Sequence, residues 1–279
     1  MSSNEAEAQE ALARFLEECA DATPGSRNLC AGCNGSRFLY CTDCYQILVP
    51  KDSWPDNLRS GTFRLPFEVD VILDDRRSSS TGIQAATIVR TASGPARDTL
   101  RIYDVEQDEI PKYEESSDGT FLLFPGESSK PFSSVLATSG IKKLVVLDCK
   151  WSKPSIRLNA SIASLPRVHL DCAPQQSYYW RWHNAGPGML CTIEALYFAA
   201  WQAANMQQWS LSEQKSLVSM MWIFGQQREA IRRHYIVGQE RKLPPHLPFT
   251  EQGKEYQRAM RRKNASKGQE RGGATDIVE

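Results

Sequence analysis

The sequence predicts an α/β protein: a mostly parallel sheet buried beneath helices, with a separate module of four cysteines ahead of it. Three observations carry this prediction. Leu144 to Leu147 and Thr120 to Phe124 are apolar runs without the alternation of a half-exposed strand, as expected when both faces are covered. Both stop abruptly, one at Asp148 and the other at Pro125-Gly126, and long helical patterns follow toward the carboxyl end. Cys30-x-x-Cys33 and Cys41-x-x-Cys44 stand seven residues apart near the amino end, a spacing that suits a metal rather than a core.

Taken in order, Glu5 to Ala22 reads as an amphipathic helix, 23–50 as the cysteine module and 51–66 as a proline-containing connector. Phe67–Leu73, Thr87–Val89, Leu100–Val105, Thr120–Phe124, Leu144–Leu147 and Val168–Leu170 are the expected strands. Between the first two, Asp74 to Thr81 carries Arg76, Arg77 and three serines, and reads as a polar turn or as a helix start able to meet phosphate. Thr192–Gln207 and Ser210–Ile236 are expected helices, the second opening on Ser210-x-x-Glu213, a capping box. On it Met220, Met221, Trp222 and Phe224 are expected in the core. Leu243 to Phe249, with three prolines, must leave the helical path. The chain therefore divides into a helix over 1–22, the module over 23–50, an α/β core over 67–240 and a basic tail over 241–279.

Four thiolates in two knuckles can close a tetrahedral zinc site through Cys30, Cys33, Cys41 and Cys44. A closed site leaves no position for substrate, so the expected zinc is structural. A redox role would need a thioredoxin-like βαβ setting, which the flanking sequence lacks. Cys19, Cys149, Cys172 and Cys191 receive no chemistry.

At 279 residues and 41% apolar content the chain can bury a large core, and no apolar run is long enough for a membrane span. The expectation is a soluble intracellular protein with no membrane partner. Net charge is zero, from 33 basic and 33 acidic residues, which is unusual for a protein that grips nucleic acid by bulk charge. The distribution is uneven: 104–118 holds seven acidic groups, whereas 254–271 holds seven Lys or Arg against two Glu. That tail reads as a solvated end, an RNA-steering arm or a nuclear address, and Arg228, Arg232 and Arg233 can extend its surface.

Open parallel sheets place ligands beyond the carboxyl ends of their strands. Asp148 and Trp151, in an Asp-x-x-Trp pattern, fall at such an end, as do Phe124, Pro125 and Gly126. Asp148 can cap a following helix or offer its carboxylate to a crevice, and Trp151 can fill the core or stack on a ring. Ser177-Tyr-Tyr-Trp-Arg181-Trp182 then leads through Gly186-Pro-Gly188 into Leu190-Cys-Thr192-Ile-Glu194-Ala195, a loop feeding a helix start. Arg181 can hold a carboxylate or phosphate, or pack with its charge in water. Glu194 can cap its own helix or belong to the site.

From the cysteines to about residue 205, this ordered set resembles the DTW-domain family of tRNA-uridine aminocarboxypropyltransferases. The resemblance implies a fold related to the SPOUT methyltransferases, with a parallel sheet and a C-terminal trefoil knot. It implies S-adenosylmethionine held by Phe124, Pro125, Gly126, Asp148, Trp151, Arg181, Leu190, Thr192 and Glu194. It further implies transfer of a 3-amino-3-carboxypropyl group to N3 of a D-loop uridine in tRNA, leaving methylthioadenosine. Asp148 is the candidate general base or orienter for the departing N3 proton. The zinc module is closer to the family's eukaryotic nuclear members, which implies a nuclear location, with the cytoplasm as the alternative, and a monomer is expected. Lys150 stands where the family has Thr or Ser before the Trp, and Cys191 where it has Ser. The alternatives are a SPOUT-like RNA methyltransferase, an rRNA aminocarboxypropyltransferase, or a zinc-ribbon RNA-binding protein without turnover.

Overall fold

A computed structural model describes residues 3–20, 26–93, 99–113, 119–150, 160–171, 174, 177–179 and 189–237. Helix α1 (Ser3–Ala20) buries Ala8, Leu12, Leu16 and Cys19, the one-sided stripe expected of an amphipathic helix. Its Ala8 carbonyl accepts the Tyr197 hydroxyl at 2.9 Å, which ties the first helix to the core.

Two small hairpins follow, β1 (Asn28–Leu29) with β2 (Ser36–Arg37) and β3 (Tyr40–Cys41) with β4 (Gln46–Ile47). Each wraps one Cys-x-x-Cys, and each turns the same way. Asn34 donates to the Cys30 carbonyl at 2.8 Å and Tyr45 to the Cys41 carbonyl at 3.0 Å. Both residues take the left-handed conformation, with φ of 55° and 54°. The two knuckles are thus one local design used twice.

After the short α2 (Asp56–Arg59), β5 (Glu68–Asp74) enters the sheet with Val69 to Leu73 buried. Helix α3 (Thr81–Ser93) comes next, and β6 (Leu100–Asp104) returns parallel to β5. The expected strand Thr87–Val89 lies inside α3, a correction with a clear cause. A β-branched Thr-Ile-Val run reads as strand. Here Ser80 accepts the Ile83 N–H at 3.0 Å as an amino-terminal cap, and Thr87 donates to the Ile83 carbonyl at 2.8 Å. Burial of Ile83, Ala86, Ile88 and Val89 then overrides intrinsic preference.

The other strands fall where expected: β7 (Thr120–Leu123), β9 (Lys143–Cys149) and β10 (Arg167–His169). Between β7 and β9 lie the two-residue β8 (Lys130–Pro131) and α4 (Phe132–Thr138); α5 (Ala160–Ser164) precedes β10. All six strands of the sheet run parallel, in the order β6-β5-β9-β7-β10-β8. The chain leaves β5 toward one edge and β9 toward the other, so the direction of winding switches between these two neighbours. That is where an open α/β sheet forms its crevice.

The pleat sorts the sheet's residues by face. Val69, Val71, Leu73, Leu144 and Val146 join the larger core under the helices. Ile72, Leu122 and Val145 form a smaller core with Ile162 and Leu165 from α5 and its exit. Helix α6 (Thr192–Met206) is buried along nearly its whole length, with Trp201 and Tyr197 among its fully buried side chains.

The expected single helix over Ser210–Ile236 is divided into α7 (Leu211–Ser216), a 3-10 turn at Leu217–Met221 and α8 (Trp222–Val237). The Asn57 amide donates to the Ser216 carbonyl at 2.9 Å, at the point where the α-helical path changes. The capping box at its start is made: Ser210 N–H meets Glu213 at 3.0 Å and Glu213 N–H meets Ser210 at 3.3 Å. Met220, Met221, Trp222 and Phe224 are all buried, as expected. The prolines of 243–249 and the basic run of 254–271 lie outside the described residues.

Candidate active site and metal centre

Strand β9 carries Asp148 onto the helix-covered face, one residue short of the strand's end. There it meets the amino termini of two helices. Its Oδ2 accepts the Ser80 hydroxyl at 2.5 Å and the Gly82 N–H at 2.8 Å, both at the start of α3. Thr192, first residue of α6, stands beside it, and its side chain helps to hold the carboxyl pKa down. Thr81 adds a cross-tie by accepting the Ile193 N–H at 3.3 Å. Asp148 is buried, and burial raises its pKa above the ordinary carboxylate value against the opposing pull of Ser80, Gly82 and Thr192. Two helix starts focused on one carboxylate place positive dipole ends where negative charge is held.

The approach of α3 to this carboxylate requires Gly82. A β-carbon there would stand 2.6 Å from Asp148 Oδ2 and 2.9 Å from Val71 Cγ1. Gly82→Ala is therefore expected to destabilise the fold by about 1–3 kcal/mol despite alanine's helical preference, read as a lowered denaturant midpoint at unchanged slope.

Glu194 is fully buried and made a structural anchor by its partners. It accepts the Ser177 hydroxyl at 2.6 Å, the Tyr178 N–H at 2.6 Å and the Cys191 N–H at 3.0 Å. The last bond is the reciprocal half of a capping box, and the first two hold the start of the aromatic segment over α6. Burial raises the Glu194 pKa, and the same three donors pull it back. Tyr179 adds a bond to the Ser79 carbonyl at 3.5 Å, and Arg228 Nε donates to the Tyr178 carbonyl at 3.2 Å. In Glu194→Gln the amide nitrogen must face a donor, so a loss of about 1–3 kcal/mol is expected, with faster hydrogen exchange at the Tyr178 amide.

Phe124, Pro125 and Gly126 leave β7 at the same end of the sheet as Asp148 leaves β9. Phe124 packs on the smaller core, on the face opposite Asp148, while Leu190 packs on the larger one. Asp148, Thr192 and Glu194 are thus gathered around the start of α6, with the 124–126 turn beside them on the other face. Trp151 and Arg181 lie outside the described residues. Ser80, Gly82 and Ser177 were not singled out individually. A Ser-Thr-Gly ahead of an apolar helical stripe was the available signal for the first two.

The cysteines form the second constellation. The four Sγ atoms of Cys30, Cys33, Cys41 and Cys44 all lie within 4.8 Å of one another, with Cys33 and Cys41 at 3.6 Å. A tetrahedral zinc with bonds of about 2.3 Å needs sulfur edges of about 3.8 Å, so the set fits. Within the cluster, backbone N–H groups of Cys33 and Gly32 hold the Cys30 thiol down to about 7, while burial pushes Cys41 up and the hydrogen bond with Cys30 pushes Cys44 up to about 12. Tyr40, Thr42 and Tyr45 join this module to the core. Arg77 donates to the Thr42 carbonyl at 2.9 Å and the Tyr45 hydroxyl at 2.7 Å, and pairs with Asp104 at 3.2 Å. Arg90 lies 4.0 Å over the Tyr45 ring. Arg77 is therefore a strut between module and sheet, and the serines beside it form a 3-10 turn into α3.

A parallel six-stranded sheet with helix starts focused on its carboxyl end, fronted by a four-cysteine module, defines a class of α/β protein with an appended cysteine knuckle pair. The family model described as DTW domain matches residues 39–227, and the chain belongs to that family. Relatives named tRNA-uridine aminocarboxypropyltransferase 1 occur in Xenopus laevis, 22% identical over 215 residues, and Rattus norvegicus, 24% identical over 222. These alignments cover 62% and 63% of this chain and 69% and 68% of the relatives. A solved structure, the SAM-dependent rRNA:acp-transferase Tsr3 from Vulcanisaeta distributa, aligns over 63% of this chain and 91% of its own, with 15% identity and a TM-score of 0.33.

Proposed function

We propose that the protein transfers the 3-amino-3-carboxypropyl group of S-adenosylmethionine to N3 of a D-loop uridine in tRNA. The carbon–sulfur bond breaks, a carbon–nitrogen bond forms, the N3 proton leaves and methylthioadenosine departs. The observation that carries this reading is the convergence of the family's motif positions, Asp148, Thr192 and Glu194, on one end of the sheet at its switch point. The relatives' names support the tRNA target.

In this reading Asp148 orients the site rather than abstracting the proton, because its Oδ2 is already engaged by two donors of α3. Phe124, Pro125, Gly126 and Leu190 would line the co-substrate pocket, and Trp151 and Arg181 would complete it. Zinc, held by Cys30, Cys33, Cys41 and Cys44, would supply local folding energy and no chemistry. The SPOUT-like trefoil knot, the nuclear location and the monomeric state belong to the same proposal. No helix among the described residues is long and apolar enough to cross a membrane.

Incubation with S-adenosylmethionine and unmodified tRNA, followed by nucleoside mass spectrometry, tests the reaction. Aminocarboxypropyl-uridine with methylthioadenosine is the expected outcome. A methylated nucleoside with adenosylhomocysteine would make the protein a methyltransferase, and no product from folded, zinc-loaded protein would leave an RNA-binding role.

A further inference from the structure

The 124–129 turn carries a second cluster that the transferase reading does not use. Arg167 and His169 are two apart on β10, so their side chains share the face that also bears Phe124. The Arg167 guanidinium stands 6.0 Å from the Phe124 ring centroid, and one of its nitrogens is 3.7 Å from where a β-carbon on Gly126 would lie. His169 Nδ1 is 2.8 Å from Ser129 Oγ, which also accepts the Gly126 N–H at 3.1 Å. The Ser129 hydroxyl donates to the Gly126 carbonyl at 2.6 Å, so its oxygen accepts from His169 Nδ1 and fixes the ring, whose doubly protonated form offers Nε2–H as a further donor.

Among the described residues no carboxylate pairs with Arg167, although it is half-buried. The nearest acid in sequence beyond His169, Asp171, is engaged by the Ser133 N–H at 3.2 and 3.3 Å. A half-buried guanidinium with no counter-ion among the described residues, beside an imidazole that Ser129 fixes at the carboxyl end of a parallel sheet, is suited to take negative charge.

We propose that Arg167 and His169, with Ser129 fixing the imidazole, form an oxyanion-binding site at the 124–129 turn. The chemistry it recognises is that of a phosphate or carboxylate group. The identity of the two sources rests on the transferase reading: an RNA backbone phosphate, or the carboxylate of the co-substrate. The existence of the site does not rest on it.

The first test titrates inorganic phosphate into the full chain while following the His169 ring signal by NMR, assigned by its loss in H169Q. A saturable shift is expected in the wild type and in R59Q, a distant surface control. The shift should persist in R167K, which keeps the charge, and vanish in R167Q. No saturable shift in the wild type, or an unchanged one in folded R167Q, overturns the proposal.

The second test separates the sources. If the anion is RNA phosphate, R167Q lowers tRNA affinity roughly 10-fold and reduces the salt slope by about one, with S-adenosylmethionine affinity unchanged. If it is the co-substrate carboxylate, R167Q weakens S-adenosylmethionine roughly 10-fold and leaves methylthioadenosine, which lacks that group, unaffected. Loss of neither affinity overturns the site's assignment to this reaction. A phosphate-binding wild type that yields no aminocarboxypropyl-uridine would instead discard the transferase reading and leave the site standing.

Discussion

Asp148→Ala is expected to lower transfer by at least ~100-fold, whereas Asp148→Asn should retain measurable activity, because the side chain's task is to hold two helix starts in place. Alanine leaves the Ser80 hydroxyl and the Gly82 N–H, bonded in the native protein at 2.5 and 2.8 Å, without their acceptor. The cost is about 3 kcal/mol, and the geometry of the α3 and α6 termini goes with it. Asparagine keeps an acceptor of the same shape and removes the charge.

The effect of pH follows from the raised pKa of Asp148. The folded protein binds that proton more tightly than the unfolded chain, so the linked stability is fully present below the ordinary value of 3.8 and is lost as pH rises through the higher folded value. An asparagine in its place mimics the protonated form. The Asp148→Asn protein should therefore melt at or above the wild-type temperature at pH 8, with the difference closing as the medium is acidified. Paired melts and nucleoside mass spectrometry decide between roles. A folded asparagine variant that binds S-adenosylmethionine but transfers nothing would make Asp148 the base.

Cys41→Ser is the second large effect. Cys41 is fully buried, and its sulfur sits 3.6 Å from that of Cys33 and receives the Cys44 N–H at 3.5 Å. A serine hydroxyl is a poor substitute for a thiolate ligand, so the cluster should no longer hold the zinc proposed for it. Structural zinc contributes about 10–16 kcal/mol of apparent binding energy in finger peptides. Even a quarter of that lowers the melting temperature by on the order of 10 °C in a chain of this size. Elemental analysis and melts with and without a chelator provide the measurement, and a variant with full zinc content and an unchanged melt would rule the four-cysteine site out. The damage should spread beyond the module. Freed from Thr42 and Tyr45, Arg77 would keep only its Asp104 partner on the sheet, loosening the turn that leads into α3, the helix whose start bonds Asp148.

The strands were legible where apolar runs were long and unbroken, since Val69 to Leu73 and Leu144 to Val146 have to be covered on both faces whatever surrounds them. The Thr87–Val89 strand failed for the complementary reason: a three-residue β-branched run carries a weak preference, and the Ser80 cap and burial against other elements decided otherwise. Asp148 stood out because an apolar run ends on it in an Asp-x-x-Trp pattern, and Thr192 and Glu194 because their helix start belongs to the family's ordered motifs. What they touch was not legible, because the Ser80 and Gly82 partners lie far back along the chain and meet Asp148 only when β5 and β9 pair. The pleat also put Asp148 and Phe124 on opposite faces, which a motif read in one dimension does not distinguish. Lys150 has no structural account as a departure from the family's Thr or Ser.

The strand order has a consequence for how the protein is made. β5 and β6 can pair as soon as both have left the ribosome, but β5's other edge is destined for β9, with Val69 beside Leu144 and Asp74 beside Cys149. β9 is also the strand that joins β5 to β7, so the centre of the sheet arrives after both of its neighbours. Until then the nascent chain carries two open, apolar strand edges, the surfaces that invite mispairing with other chains. The knuckle pair at the amino end needs only short-range contacts and can close around its ion during this interval, while loop closure across the sheet sets the slow step. The stretch of translation from β7 to β9 is thus the window in which both edges stand open.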